Sequence, residues 1–264
     1  MISLQSIGGV ALRYLRLARR DINFLLAVLY WPLLDILVWG FLGSWIGQTH
    51  SAQFHNYETA ALLGILLWQV TGRGANHLNT AFNEELWTHN VVNLFSLPLR
   101  ISEWVAGNVL FCVCMTALST LVCMLVMFAL YDLSAWYTIS TFLMFCPPLF
   151  LSAIWLGFSC LSIVTTFGRR STELGYVVSW MLLPFSGAYY PIEVLPAWGQ
   201  VISSCLPMSY VFEGMRGYVM HQQDPTANLV IGYVLSILYA TAAILLFVYC
   251  FNRSKRSGLA RLAH

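Results

Sequence analysis

The chain has 264 residues, of which 59% are hydrophobic and only 9% charged, with a formal net charge of +2. Soluble domains carry roughly a quarter charged residues, so this composition excludes a water-covered globule and requires apolar residues to meet lipid. So small a net charge gives no electrostatic case for nucleic acid.

The apolar runs are long and unbroken, as in Phe24–Ile46 and Leu229–Phe251, each of 23 residues. A spanning helix needs about 20 apolar residues, whereas barrel strands alternate over about ten. Backbone groups in lipid must be satisfied within the segment, so these runs are helices. The expected fold class is an all-α, polytopic membrane protein forming one transmembrane domain over residues 1–264.

Residues 1–22 read as an interfacial amphipathic helix. Leu4, Ile7, Leu12, Leu15 and Leu17 give an apolar side, and Arg13, Arg16, Arg19 and Arg20 a basic one suited to headgroups. A plain basic flank to the first span is the alternative. A cleaved leader is not expected, because the apolar run after Arg20 is too long and no small-residue cleavage site follows.

Six spans are expected, near 23–46, 58–79, 104–131, 137–165, 173–190 and 227–251. The connections near 47–57 and 131–136 are short and leave no room for a large soluble domain on that side. With the N-terminus inside, the inner segments hold Arg13, Arg16, Arg19, Arg20, Arg100, Arg169, Arg170, Arg253, Lys255, Arg256 and Arg261, eleven of the thirteen Lys and Arg residues. Both termini are therefore expected in the cytoplasm. Trp31, Trp39, Trp45, Trp104, Trp136, Tyr137, Tyr189, Tyr190 and Tyr249 fall near span ends, as interfacial belts require.

Two polar residues stand inside spans. Asp35 follows Pro32 in the first span, and an intramembrane carboxylate is a functional candidate by default. It lines a path, pairs across a dimer, or is merely tolerated in a loosened, hydrated helix. Arg73, between Gly72 and Gly74, meets an anionic substrate group or snorkels to lipid phosphate.

Two connecting segments are not ordinary loops. Residues 79–103 place Phe82, Glu85, Leu86, His89 and Val92 at helical spacing, so a short helix is expected before Leu97-Pro98, with Glu84 and Glu85 at its start where the dipole favours negative charge. Residues 190–224 carry two apolar stripes divided by Pro207. One is Val194, Leu195, Trp198, Val201, Ile202 and Cys205; the other is Met208, Val211, Phe212, Met215, Tyr218 and Val219. This pattern suggests a re-entrant helical hairpin on the outer side, acting as a lid or exit gate or simply lying at the interface. Glu213 and Arg216, one turn apart, form a local pair.

The seven cysteines show no CxxC pair, and the histidines at 50, 55, 77, 89, 221 and 264 form no metal-ligand spacing, so no metal or catalytic site is expected. No phosphate loop is present, and the only lysine, Lys255, lies in the C-terminal tail.

These segments resemble the type-2 ABC exporter permeases, the group with drug, nodulation-factor, teichoic-acid and O-antigen exporters. One match runs from Glu84-Glu85-Leu86-Trp87 to Leu94-Phe95-Ser96-Leu97-Pro98-Leu99. A more specific one is Ser186-Gly187-Ala188-Tyr189-Tyr190-Pro191, then Leu195-Pro196-Ala197-Trp198, Leu206-Pro207-Met208-Ser209-Tyr210 and Glu213-Gly214-Met215-Arg216. The family's Arg-Glu and Gly-Thr are replaced by Asn83-Glu84 and Thr88-His89-Asn90, so the substrate is not named.

The resemblance implies a permease that moves an amphipathic or lipid-linked substrate (drug, lipid or glycolipid) outward across a bacterial inner membrane. It would work as a dimer of two such chains, with two cytoplasmic ATPase subunits that carry ATP and Mg. Glu84, Glu85, Trp87 and His89 would couple to the ATPase. Asp35, Arg73, Tyr189 and Tyr190 would line the path, and Pro191, Pro196, Trp198, Pro207, Tyr210, Glu213 and Arg216 would form the outer gate. A membrane scaffold or an intramembrane lipid-modifying enzyme is the alternative.

Overall fold

A computed structural model of the chain describes residues 3–47, 54–131, 134–256 and 258. The side chains of Trp45 and His55, and residues His50, Arg261 and His264, fall outside that description. Every regular element among the described residues is helical. Helix α1 (Leu4–Arg20) is followed by α2 (Ile22–Gly47), α3 (Phe54–Trp68), a π-turn (Gln69–Arg73), α4 (Gly74–Trp87) and α5 (Val91–Ser96). Then come α6 (Ile101–Leu130), α7 (Ala135–Phe167), α8 (Thr172–Met181), α9 (Ala197–Cys205), α10 (Pro207–His221) and α11 (Thr226–Arg256).

The protein is an all-α polytopic membrane protein. Helices α6, α7 and α11 are each long and apolar enough to cross a bilayer, and Val28–Leu42 of α2 is a shorter apolar stretch. The expected fifth span, 173–190, is shorter as a helix than its apolar run: α8 stops at Met181, and Pro184 turns the chain into the 3-10 segment Leu183–Phe185.

Two apolar clusters lie at opposite ends of the bundle. One gathers α1, α4 and α5 against the adjoining ends of α6, α7 and α11, with Phe82, Trp104 and Phe247 fully buried. Phe82 meets Trp104 edge-on at 5.5 Å, and Phe95 meets Phe251 at 4.5 Å. The other joins α3, α10 and the far ends of α6 and α7 around Leu63, Leu66, Phe145 and Phe212. In lipid, helix association rests on close packing and interhelical hydrogen bonds more than on the hydrophobic effect. Ser152 of α7 and Ser236 of α11 supply one such bond, 3.0 Å between hydroxyls. Trp104, expected in an interfacial belt, is instead a core residue whose indole donates to Tyr14 at 2.9 Å.

Helix α1 starts at Ser3, whose hydroxyl accepts from the Ser6 amide, and ends at Arg20. Its buried face is the narrow one: Val10, Ala11, Tyr14 and Ala18, not the leucines. A Cβ at Gly107 of α6 would stand 2.6 Å from Val10 Cβ, so the two helices touch only because Gly107 lacks one. Leu4, Leu12 and Leu17 are left exposed with Arg16, Arg19 and Arg20.

Candidate functional site

The π-turn carries the polar residues of the expected second span. One extra residue in the turn widens the helix at Gln69–Arg73, a feature frequent at functional sites. Gln69 donates to Asp35 Oδ2 of α2 at 3.2 Å and accepts from Arg73 Nε at 3.3 Å. Arg73 Nη2 stands 3.6 Å from the same Asp35 oxygen, and its guanidinium lies 5.3 Å from the ring centre of Trp180 on α8. Arg73 is thus engaged by Asp35, Gln69 and Trp180. Trp39 of α2 stacks on Tyr189 at 5.1 Å, so three of the four path candidates share one face. Tyr190 is turned aside and donates to the Pro184 carbonyl at 2.8 Å. Gln69 and Trp180 were not singled out in the sequence. The signal was a glutamine four residues before Arg73 in an otherwise apolar run.

Below the π-turn, α4 continues this polar character with Asn76, His77, Thr80 and Asn83. Tyr176 of α8 faces it, 3.3 Å from Thr80 Oγ1 and 3.4 Å from Asn83 Nδ2. The amide oxygens of Asn76, Asn79 and Asn83 are buried with no hydrogen-bond partner among the described residues.

Residues 190–224 form a helical hairpin with prolines at its joints: Pro196 caps α9 and Pro207 opens α10. Its second stripe faces inward, with Met208, Val211, Phe212 and Met215 wholly buried. Its first stripe does the reverse, since α9 buries only Gly199 and Ser203 and leaves Val194, Trp198, Val201 and Ile202 outward. Glu213 and Arg216 are more than a local pair. Glu213 Oε1 accepts from Arg216 at 2.8 Å and from the Ile192 amide at 2.9 Å, while Arg216 also donates to the Gly187 carbonyl. Gly187 has φ +74°, which permits the turn preceding Pro191. The Ser203 and Ser209 hydroxyls both donate to the Phe185 carbonyl, at 2.7 and 3.0 Å, and the Phe185 ring meets Trp198. Tyr210 closes the α9–α10 joint by donating to the Ser204 carbonyl at 2.9 Å.

At the opposite end, residues 79–103 divide into the last turns of α4, a tight turn at Thr88–Asn90, α5 and the start of α6. The helical spacing of Phe82, Glu85, Leu86, His89 and Val92 does not describe a single helix, because His89 takes a left-handed φ of 55° and breaks it. Glu84 and Glu85 consequently end α4 rather than begin a helix, where the dipole opposes negative charge. Glu85 is compensated differently. Arg13 Nη2 donates to its Oε2 at 2.9 Å and lies 2.7 Å from Oε1, and Asn90 donates to Oε2 at 2.7 Å. Its side chain is only 2% exposed, so it faces α1 rather than the surface. Glu84, Trp87 and His89 are exposed, and the Arg169 guanidinium sits 5.9 Å from the Trp87 ring centre.

Glu103, unremarked in the sequence, fastens α1 to α6. It accepts the Ser3 amide at 2.8 Å and the Arg100 amide at 3.1 Å, and these bonds hold its carboxyl below the usual range.

A family model described as ABC-2 type transporter matches residues 10–220, from α1 through α10. The chain belongs to that family. It is thus a permease subunit of an ABC transporter, a membrane component rather than a catalytic one, and permeases of this family work with an ABC ATPase. The match takes in the π-turn, the α4–α5 segment and the hairpin as far as residue 220. No curated protein gives a match to this permease.

Proposed function

We propose that this permease exports an amphipathic or lipid-linked substrate (drug, lipid or glycolipid) across a bacterial inner membrane with both termini cytoplasmic. Two copies pair over two ATPase subunits, which bind ATP and Mg. The observation that carries this reading is the Asp35–Gln69–Arg73 cluster. Asp35 and Arg73 keep 19% and 13% of their side chains exposed, on a face the described residues leave uncovered. A charged group open to lipid costs several kcal/mol, whereas one beside a water-filled cleft between two copies does not. The buried amide oxygens along α4 and the aromatic rings of Trp39, Tyr189 and Trp180 suit the same wet path.

Glu84, Trp87 and His89 are the surface offered to the ATPase, and Glu85 positions them by pinning α4 to α1. The hairpin forms the outer gate and moves as one body, because Glu213, Arg216, Ser203 and Ser209 tie it to the 185–192 turn.

The test is co-purification from native membrane with ATP hydrolysis measured in lipid. Wild type is expected to bring down an ATPase, and Glu84→Ala/Trp87→Ala to lose it or uncouple it. Asp35→Asn is expected to keep the ATPase and lose substrate-stimulated turnover. If no ATPase accompanies the wild type in mild detergent, the chain acts as a scaffold or lipid-modifying enzyme instead.

A further inference from the structure

Only residues 131–134 separate α6 from α7 in the chain, yet the two helices hardly touch, and the π-turn stands between them, packed on both. Their divergence leaves a cleft of about 570 Å³, within the range of small-ligand sites. Ala117, Met124, Phe142 and Phe150 wall it, together with Val70 of the π-turn. Thr116 and Thr120 also line it but keep their hydroxyls out of it: the first meets Cys112, and the second is buried. Val113, Leu121 and Leu143, on the same lining, are exposed, so the cleft opens to whatever surrounds the two spans. We infer that it holds one acyl chain of a bilayer phospholipid, drawn from the leaflet on the side of the α6–α7 connection.

Depth and length identify the occupant. On α6 the lining runs from Val113 to Met124, roughly 16 Å at about 1.5 Å per residue. One leaflet's share of a hydrocarbon core about 30 Å thick has that length. On α7 the lining runs from Ile139, one turn inside the helix start, to Phe150. Val113 and Phe150 both lie near the middle of their helices. The cleft therefore runs from just inside one membrane surface to mid-bilayer, the layer that acyl chains fill. Chains and leucine side chains are equally apolar, so the hydrophobic effect does not hold the chain there. Packing does, because an empty cleft would leave its walls without contacts on one side. The chain would also support the π-turn through Val70, whose neighbour Gln69 donates to Asp35. Neither the ATPase nor the direction of transport enters here; only the spanning of α6 and α7 does.

The experiment uses the full chain in phosphatidylcholine vesicles doped with a phosphatidylcholine that carries a photoreactive diazirine on one palmitoyl chain, at its methyl end or next to its carboxyl end. Labelled residues are located by peptide mass spectrometry after irradiation. The methyl-end probe is expected to label around Val113 and Phe150, and the carboxyl-end probe around Met124 and Ile139, each about fivefold above the exposed face of α11. Ala117→Phe puts a ring into the cleft from an exposed position and is expected to reduce both to the α11 level. Leu238→Phe, exposed on α11, is expected to leave them unchanged. Thermal unfolding in detergent checks that both variants are folded. Equal labelling of α6, α7 and α11, labels that do not move with the probe, or cleft labels that survive Ala117→Phe overturn the assignment. A cleft that stays unlabelled while the rest of α6 and α7 is labelled also overturns it, and gives the space to a second copy or another apolar ligand. ATPase co-purification is measured separately, so a failure of the exporter reading leaves these labels in place and is told apart from a failure here.

Discussion

Arg13 and Glu85 illustrate how unequal the two partners of one ion pair are. Glu85 is buried, while Arg13 keeps about a third of its side chain exposed and can turn to headgroups when released. Removing Arg13 leaves a buried carboxylate satisfied by Asn90 and the Tyr14 hydroxyl without a cation; removing Glu85 leaves a cation near water. Breaking a buried pair from one side costs about 3–5 kcal/mol, and the remaining bonds reduce this. Arg13→Ala is therefore expected to destabilise by about 2 kcal/mol and Glu85→Gln by about half as much, a ranking that thermal unfolding of the two variants in detergent checks. Glu103 gives a pH dependence of definite sign. Its folded pKa lies below its unfolded one, so its contribution is complete above the ordinary carboxyl value and is lost as pH falls through the folded value. Hydrogen-exchange protection of α1 is expected to hold at neutral pH and to fall on acidification as Glu103 takes up its proton, with that fall absent in Glu103→Gln.

At the scale of elements, α6, α7 and α11 were legible because each is a long apolar run, and the helices α9 and α10 because proline marks both of their joints. The break at Thr88–Asn90 was not, since apolar spacing continued through it; only backbone geometry at His89 shows that the chain turns. A histidine in that conformation costs more than glycine, so His89→Gly is expected to raise stability by about 0.5–1 kcal/mol. If the unfolding midpoint drops instead, the His89 side chain holds the turn in a way its exposure does not suggest. The orientation of α9 was equally hidden. Periodicity locates an apolar stripe but does not say whether protein or lipid receives it, and here Gly199 and Ser203 take the inner side. The Asp35–Arg73 cluster was half legible: both charges stood out against lipid, but their meeting depends on a π-turn that no residue pattern announces.

Across the whole molecule, Phe54–Trp87 runs as one continuous helical rod, roughly 50 Å at about 1.5 Å per residue. Its upper part packs against the hairpin, where a Cβ on Gly64 would collide with the Ala188 carbonyl. Its lower end presents Glu84 and Trp87. The π-turn between them acts as a phase shift in this rod, one residue out of step with an ordinary helix. Inserting one alanine after Ala75, where the winding is plain α-helical, would rotate everything below by about 100°. Such a variant is expected to span the membrane and keep its hairpin, yet to lose ATPase association, which co-purification reads directly. The turn that gathers the charges thus also sets the angle at which the two ends of the permease face the world, so the composition of the proposed path and the direction of the proposed coupling surface cannot vary independently.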